Sequence, residues 1–211
     1  MSFQQPTAIA QAVHALKTDL LRPEGPQIST VRNYNFAILP YPPADEFALR
    51  AAIHELSGTL RDAGWTIGEI PLHRLFYDRL RAEGPELIAA MIQREKRLEG
   101  SADPWRGLRA LKQAVLNSVE GPNGLARDVL VKIHEILDGQ SRDADKTVIF
   151  LARAGALYPF LRTSALLKHL TGQTRNAPVV LLYPGSVDAD GGLSFMGVLP
   201  ADRDYRPRIY R

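Results

Sequence analysis

Two stretches in the last third of the chain constrain the fold most. Thr147 to Leu151 and Pro178 to Tyr183 are near-continuous apolar runs without the polar alternation of a half-exposed strand. Strands of that kind are expected where both faces of a sheet are covered, as in parallel α/β architectures. Phe36-Ala37-Ile38-Leu39 is a shorter run of the same character, ended by Pro40, Pro42 and Pro43, which offer no amide to a ladder. Trp65 to Ile70 reads as another strand. Between these two, Asp45 to Ala63 repeats Leu49, Ile53, Leu56 and Leu60 at helical steps, and Gly64 offers a left-handed C-terminal cap. A strand, a helix and a strand in that order describe a right-handed parallel unit, because parallel strands cannot be joined by a tight turn.

The remaining helices follow from the same periodicity. Residues 7 to 21 form an opening helix stopped at Arg22-Pro23-Glu24-Gly25-Pro26. Residues 72 to 98 are helical with a break at Gly84-Pro85, and Trp105 to Asn117 and Gly124 to Leu137 continue the pattern. These stretches are expected to form a helical insert of about 72–137 between the second and third strands. A short helix runs from Thr163 or Ser164, either serving as N-cap, to Leu170. Leu193 to Val198 and Tyr205 to Tyr210 read as a closing pair of strands. The expected fold class is α/β: a single domain over residues 1–211 with a mostly parallel central sheet flanked by helices. Its 211 residues, 45% hydrophobic, suffice for one core.

Composition then removes function classes. With no run of 18 apolar residues, and with Lys17 and Asp19 early in the chain, neither a membrane span nor a cleavable signal is expected, so the reading is cytoplasmic. Zero cysteines exclude disulfides, thiolate nucleophiles and Cys-based metal sites. The net charge of +3 is concentrated after residue 141, where 10 basic residues face 6 acidic ones. Arg203, Arg206, Arg208 and Arg211 are therefore candidate contacts for weak nucleic-acid binding.

The motif search finds no catalytic signature. Neither a G-x-x-x-x-G-K-[ST] nor a G-x-G-x-x-G turn follows a strand, and Pro40-Tyr41-Pro42-Pro43 removes the amides that would cradle a phosphate. No nucleotide hydrolysis or cofactor is expected. His14, His54, His73, His134 and His169 form no metal-binding pair, and Asp188 to Gly192, which begins like a calcium loop, reads as a hairpin turn. No G-x-S-x-G elbow supplies a nucleophile. What remains is a set expected at the carboxyl ends of parallel strands: Asp45, Glu46, Arg153, Tyr158 and Ser186. They could line a crevice. Their plainer roles are a helix-terminal charge for Asp45, a half-buried anchor for Tyr158 and its ion-pair partner for Arg153.

Several blocks carry a family resemblance. Val148-Ile149-Phe150-Leu151, Gly155-Ala156-Leu157-Tyr158-Pro159-Phe160-Leu161-Arg162-Thr163, Pro178 to Gly185 and Leu193-Ser194-Phe195-Met196-Gly197, with Asn35 to Leu39, Asp45-Glu46 and Gly64-Trp65 upstream, resemble the BrxB family of bacteriophage-exclusion (BREX) defence systems. The resemblance covers most of residues 30 to 211. It implies an assembly role beside a PglX-like methyltransferase, a PglZ-like phosphatase-superfamily protein and a large AAA-type ATPase, and it carries no catalytic residue onto this chain. The expected function is a non-enzymatic adaptor that bridges larger BREX components. The alternatives are a nucleic-acid contact module and an unrecognised enzyme at the strand-end crevice. Tyr158, Phe160, Arg162, Tyr183 and Ser186 are the expected partner surface, since they leave buried strands at one edge of the sheet and include aromatic and arginine anchors.

Overall fold

The computed structural model describes residues 7–29, 35–100, 102–103, 105–140, 146–160, 162–201 and 207–211. Its helices are α1 (Ala8–Leu20), α2 (Glu46–Asp62), α3 (Leu72–Ala82), α4 (Pro85–Leu98), α5 (Arg106–Val119), α6 (Leu125–Gln140) and α7 (Thr163–Leu170). The strands are β1 (Phe36–Tyr41), β2 (Thr66–Pro71), β3 (Thr147–Ala152), β4 (Val179–Val187), β5 (Leu193–Phe195) and β6 (Arg208–Ile209). The fold is α/β with a mostly parallel sheet, in the order β2-β3-β4-β1-β6, and β5 pairs antiparallel with the far end of β4. Four helices, α3 to α6, stand between β2 and β3, as the helical-insert reading requires.

Residue parity divides the core in two. Phe36, Ile38, Ile149, Leu151, Val179 and Leu181 point to the face covered by α3, α5, α6 and α7. Their neighbours Ala37, Leu39, Val148, Phe150, Val180 and Leu182 point to the face covered by α1 and α2. Nearly every one of these side chains is excluded from water, which accounts for the unbroken apolar runs. The crossover β1-α2-β2 steps outward past β4 and β3, while β2-β3 and β3-β4 step back toward β1. Right-handed crossovers that step in opposite directions must use opposite faces, and the two helix layers follow that division. β1 and β2 are thus parallel but not adjacent.

Two local expectations change. Leu193 to Val198 and Tyr205 to Tyr210 are not a pair: β5 turns back on β4, whereas β6 lies parallel to β1 at the other edge. The second segment is too far along the sheet to meet the first. At α7 neither Thr163 nor Ser164 is the cap; Arg162 occupies that position, its side chain makes no capping bond, and Thr163 is buried inside the first turn. Gly64 does close α2 in the left-handed region, at φ +82, and its N–H donates to the Arg61 carbonyl at 2.9 Å.

Partly or fully buried charge fixes two of the junctions. Arg79 of α3 forks onto Asp128 of α6, Nε to Oδ2 at 2.6 Å and Nη2 to Oδ1 at 2.8 Å, while Nη1 donates to the Ser118 carbonyl of α5 at 3.0 Å. One guanidinium thereby pins three crossover helices. At the other edge, Asp19 of α1 is 2% exposed and accepts from Arg22 at 2.6 Å, Arg208 at 2.7 Å and the Tyr210 hydroxyl at 3.0 Å. The Arg208 guanidinium lies over the Tyr210 ring, 4.8 Å from its centroid. This cluster ties the end of the chain to its first helix. Replacing Asp19 leaves two partly exposed arginines without their carboxylate, so Asp19→Ala is expected to lower stability by about 2–4 kcal/mol, and Tyr210→Phe by about 1–2 kcal/mol, in urea unfolding.

Candidate functional site

The carboxyl ends of β1, β2 and β3 meet at a small polar cluster. β1 ends at Tyr41, a 3-10 turn (Pro43–Asp45) follows, and α2 begins at Glu46. β3 ends at Ala152, and Arg153 takes up the left-handed conformation (φ 63, ψ 32) before the 3-10 turn Ala154–Leu157. A non-glycine residue there is uncommon and mildly strained. Arg153 Nη1 donates to Glu46 Oε1 at 3.3 Å, and the Tyr41 hydroxyl donates to Oε2 of the same carboxylate. Both Glu46 oxygens are therefore engaged, one by a cation and one by a buried phenol. Burial, then the bond to Glu46, pushes the Tyr41 hydroxyl well above the ordinary tyrosine range, so it stays a proton donor.

His73, the second residue of α3, stands at the end of β2. Loss of hydration first, then the positive charges of Arg153 and Arg74, hold its imidazole below the ordinary histidine value. Its buried Nδ1 has no hydrogen-bond partner. Because protonation of His73 is disfavoured in the folded chain, its contribution to stability is full above about pH 6.5 and is lost as pH falls below it.

From this cluster a cleft of about 490 Å³ runs between α2 and the strands β2 and β3. Its lining includes Ile67, Phe150, Ala152 and Leu182 from the sheet, Glu69 from β2, and Arg50, His54 and Arg61 from α2, with Phe47 beside Arg50. Ile67 and Glu69 point to this face because Gly68 points to the other, where an added Cβ would stand 2.9 Å from Ile136 Cδ1. Helices α1 and α2 leave the outer part of the sheet uncovered here, so Glu69 is exposed.

Of the crevice set read from the sequence, the fold joins Glu46 to Arg153; Asp45 is exposed and makes no side-chain cap bond to α2. The Arg153 cation is therefore paired with Glu46 and not with Tyr158. The five expected partner residues divide. Arg162 and Ser186 are exposed, and Tyr158 and Phe160 are half-buried against the core. Tyr158, whose peptide bond to Pro159 is cis, meets Phe195 edge-on at 6.2 Å, while Phe160 stacks on Phe76 at 5.5 Å. Tyr183 is fully buried, its hydroxyl donating to the Leu193 carbonyl at 3.2 Å, which corrects its placement on the surface. It faces inward because β4 continues past its predicted end to Val187 and is covered there by β5.

The basic tail is also redistributed. Arg208 is held by Asp19 and Tyr210 and is thus a structural residue instead of a free phosphate contact; Arg211 is exposed, and Arg203 and Arg206 lie outside the described residues. Among the described residues, no three His, Cys, Asp or Glu side chains converge to hold a metal ion. Asp188 instead organises the hairpin turn expected there, its Oδ1 accepting from the amides of Asp190 at 3.0 Å and Gly192 at 2.6 Å. Tyr41, His73 and the Arg50-His54-Arg61 row were not among the residues singled out. The row was detectable, since residues 50, 54 and 61 fall on one side of a helix whose apolar residues are 49, 53, 56 and 60.

Two outcomes are expected. In Arg153→Ala the His73 titration midpoint, followed by its imidazole NMR resonances, should move upward toward the ordinary value, because a neighbouring positive charge has been removed; an unchanged midpoint would remove Arg153 from its causes. Gly185 sits where an added Cβ would stand 2.2 Å from the Ser194 carbonyl oxygen of β5. Gly185→Ala should therefore cost about 3 kcal/mol or more, measured by thermal or urea unfolding, through separation of β5 from β4.

Comparison with known proteins places this arrangement. The family model described as BREX protein BrxB matches residues 68–209, well over half of the chain, from within β2 through β6. The blocks around Asn35 to Leu39, Asp45-Glu46 and Gly64-Trp65 lie ahead of the matched segment. No curated protein and no solved structure matches the chain. With the Tyr-Pro-Phe-Leu-Arg and Tyr-Pro-Gly blocks lying inside the matched β3-to-β5 region of the α/β sheet, the chain belongs to the BrxB family of BREX proteins.

Proposed function

We propose that this BREX component is a non-enzymatic adaptor that holds larger members of the phage-defence assembly together, with the phosphatase-superfamily and methyltransferase components as its direct partners. Family membership gives the BREX setting. The observation that carries the adaptor role is the presence of large exposed apolar side chains on both helix layers. Phe47 on α2 is 79% exposed, and on the opposite layer Tyr77 of α3, Ile92 of α4 and Trp105 ahead of α5 are 55%, 50% and 63% exposed. Side chains of this size left in water on opposite sides of one sheet suit a protein that contacts two partners at once. In the strand-end cluster both Glu46 oxygens are engaged, by Tyr41 and Arg153, which suits a structural role for that carboxylate.

Arg162 and Ser186 remain the exposed members of the strand-end partner surface, with Tyr158 and Phe160 shaping the ground beneath them. Tagged chain co-expressed with its genomic neighbours is expected to purify as a stoichiometric complex. Arg162→Ala should weaken that complex while leaving the melting temperature nearly unchanged, since its side chain makes no capping contact. Tyr158→Ala should lower the melting temperature as well, because it opens the contact with Phe195. Elution of the folded wild-type chain alone, with its neighbours present and soluble, would overturn the adaptor reading.

A further inference from the structure

The cleft beside α2 carries a recognition chemistry of its own. Arg50 and Arg61 are eleven residues apart on α2, which returns them to the same side of the helix, and both are exposed. Neither has an ion-pair partner among the described residues. His54 lies between them in the same lining. Opposite stands β2, the end strand of the sheet, whose outer edge pairs with no other strand among the described residues. Helix rise separates Arg50 from Arg61 by about 16 Å, the length of about five residues of extended chain. The sheet-derived lining is apolar at Ile67, Phe150, Ala152 and Leu182.

We propose that this cleft docks an extended acidic segment of a partner protein, laid along β2 with its carboxylates on the α2 side, toward Arg50 and Arg61, and its alternate, apolar side chains on the opposite side of the sheet, the side to which Gly68 points. Charge selects the occupant. An open strand edge recognises peptide backbone by added ladder hydrogen bonds, and the unpaired arginines select acidic side chains on the strand so added. A nucleic-acid strand would satisfy the arginines and could accept from β2 amides, but its backbone carries no N–H donors for the β2 carbonyls and so cannot complete a ladder. The segment deepens the adaptor reading by assigning one of its two contacts, and it rests on that reading. It involves residues ahead of the segment that the family model matches.

The test uses the full chain and a fluorescein-labelled hexapeptide of alternating glutamate and valine, read by fluorescence anisotropy at low and moderate salt. A lysine and valine hexapeptide and a short thymidine oligonucleotide are run beside it. The acidic peptide is expected to bind, more weakly as salt rises, and Arg50→Glu with Arg61→Glu should reduce its affinity by about tenfold or more. The milder Arg50→Gln with Arg61→Gln should give a smaller loss at an unchanged melting temperature, and it carries the test if the charge reversal does not fold. Absence of acidic-peptide binding, equal binding of the lysine peptide, or tighter binding of the oligonucleotide would overturn the proposal. Co-purification with the BREX neighbours separates the two readings. If the wild-type chain co-purifies but does not bind the acidic peptide, this cleft is excluded and the adaptor role stands; if it does not co-purify, the adaptor role falls whatever the peptide does.

Discussion

Both faces of the parallel sheet are apolar over β1, β3 and β4, and the placement of α1, α2, α3, α5, α6 and α7 follows from covering them, while α4 packs outside against α5. Apart from Pro40, Ser186 and Val187, the side chains of these strands are buried, so a helix missing from either face would expose a row of branched and aromatic residues. The crossovers satisfy this by alternating faces: α1 and α2 close one side, and the crossover helices with α7 close the other. Register follows from the same constraint. A slip of one residue in β3 would exchange Ile149 and Leu151 with Val148 and Phe150, and each layer would meet side chains of the wrong size.

The cover is unequal, and the candidate sites lie where it is thinnest. Four helices cover one face, three of them joined by the Arg79 fork, whereas two serve the other face and leave the outer part of β2 and β3 lined by a cleft. Polar groups collect at the end of that cleft because strands stop there and backbone turns into helices. Tyr41, Glu46, Arg153 and His73 arrive from three different strand ends; Tyr41 and Arg153 hold Glu46 in place, while burial first, then the Arg153 and Arg74 charges, disfavours protonation of His73. Under the adaptor proposal, the open cleft on one face and the exposed aromatic side chains on the other are the two places a partner would use.

The chain ends are joined by charge instead of by apolar area. β6 contributes only two residues to the sheet, too few to be secure alone, and Asp19 compensates by collecting Arg22, Arg208 and Tyr210 around one buried carboxylate. An arginine in a basic-looking tail is thus tied into the fold, sharing the Asp19 carboxylate with Arg22.

Periodicity and turn chemistry act over a few residues, and they determined the elements: the apolar runs named the buried strands, four- and three-residue steps named the helices, and Gly64 and Gly84-Pro85 named helix ends, whereas β1 runs on through Pro40 to Tyr41, past the end expected at Pro40. The Tyr-Pro-Phe-Leu-Arg and Tyr-Pro-Gly blocks that carry the family resemblance lie inside the segment that the family model matches. Contacts between residues far apart in the chain were decided only by the tertiary structure. Arg153 meets Glu46 across 107 positions and Tyr210 meets Asp19 across 191, and no spacing rule reaches that far. Tyr183 and Arg208 show the consequence. An aromatic at a strand end and an arginine in a tail each carry the composition of a surface contact, and whether they face solvent depended on where β5 folded back and on which helix offered a carboxylate. The sheet order belongs to the same class, because local pattern states that strands are buried and parallel, while their neighbours are chosen by how the helix layers share the two faces.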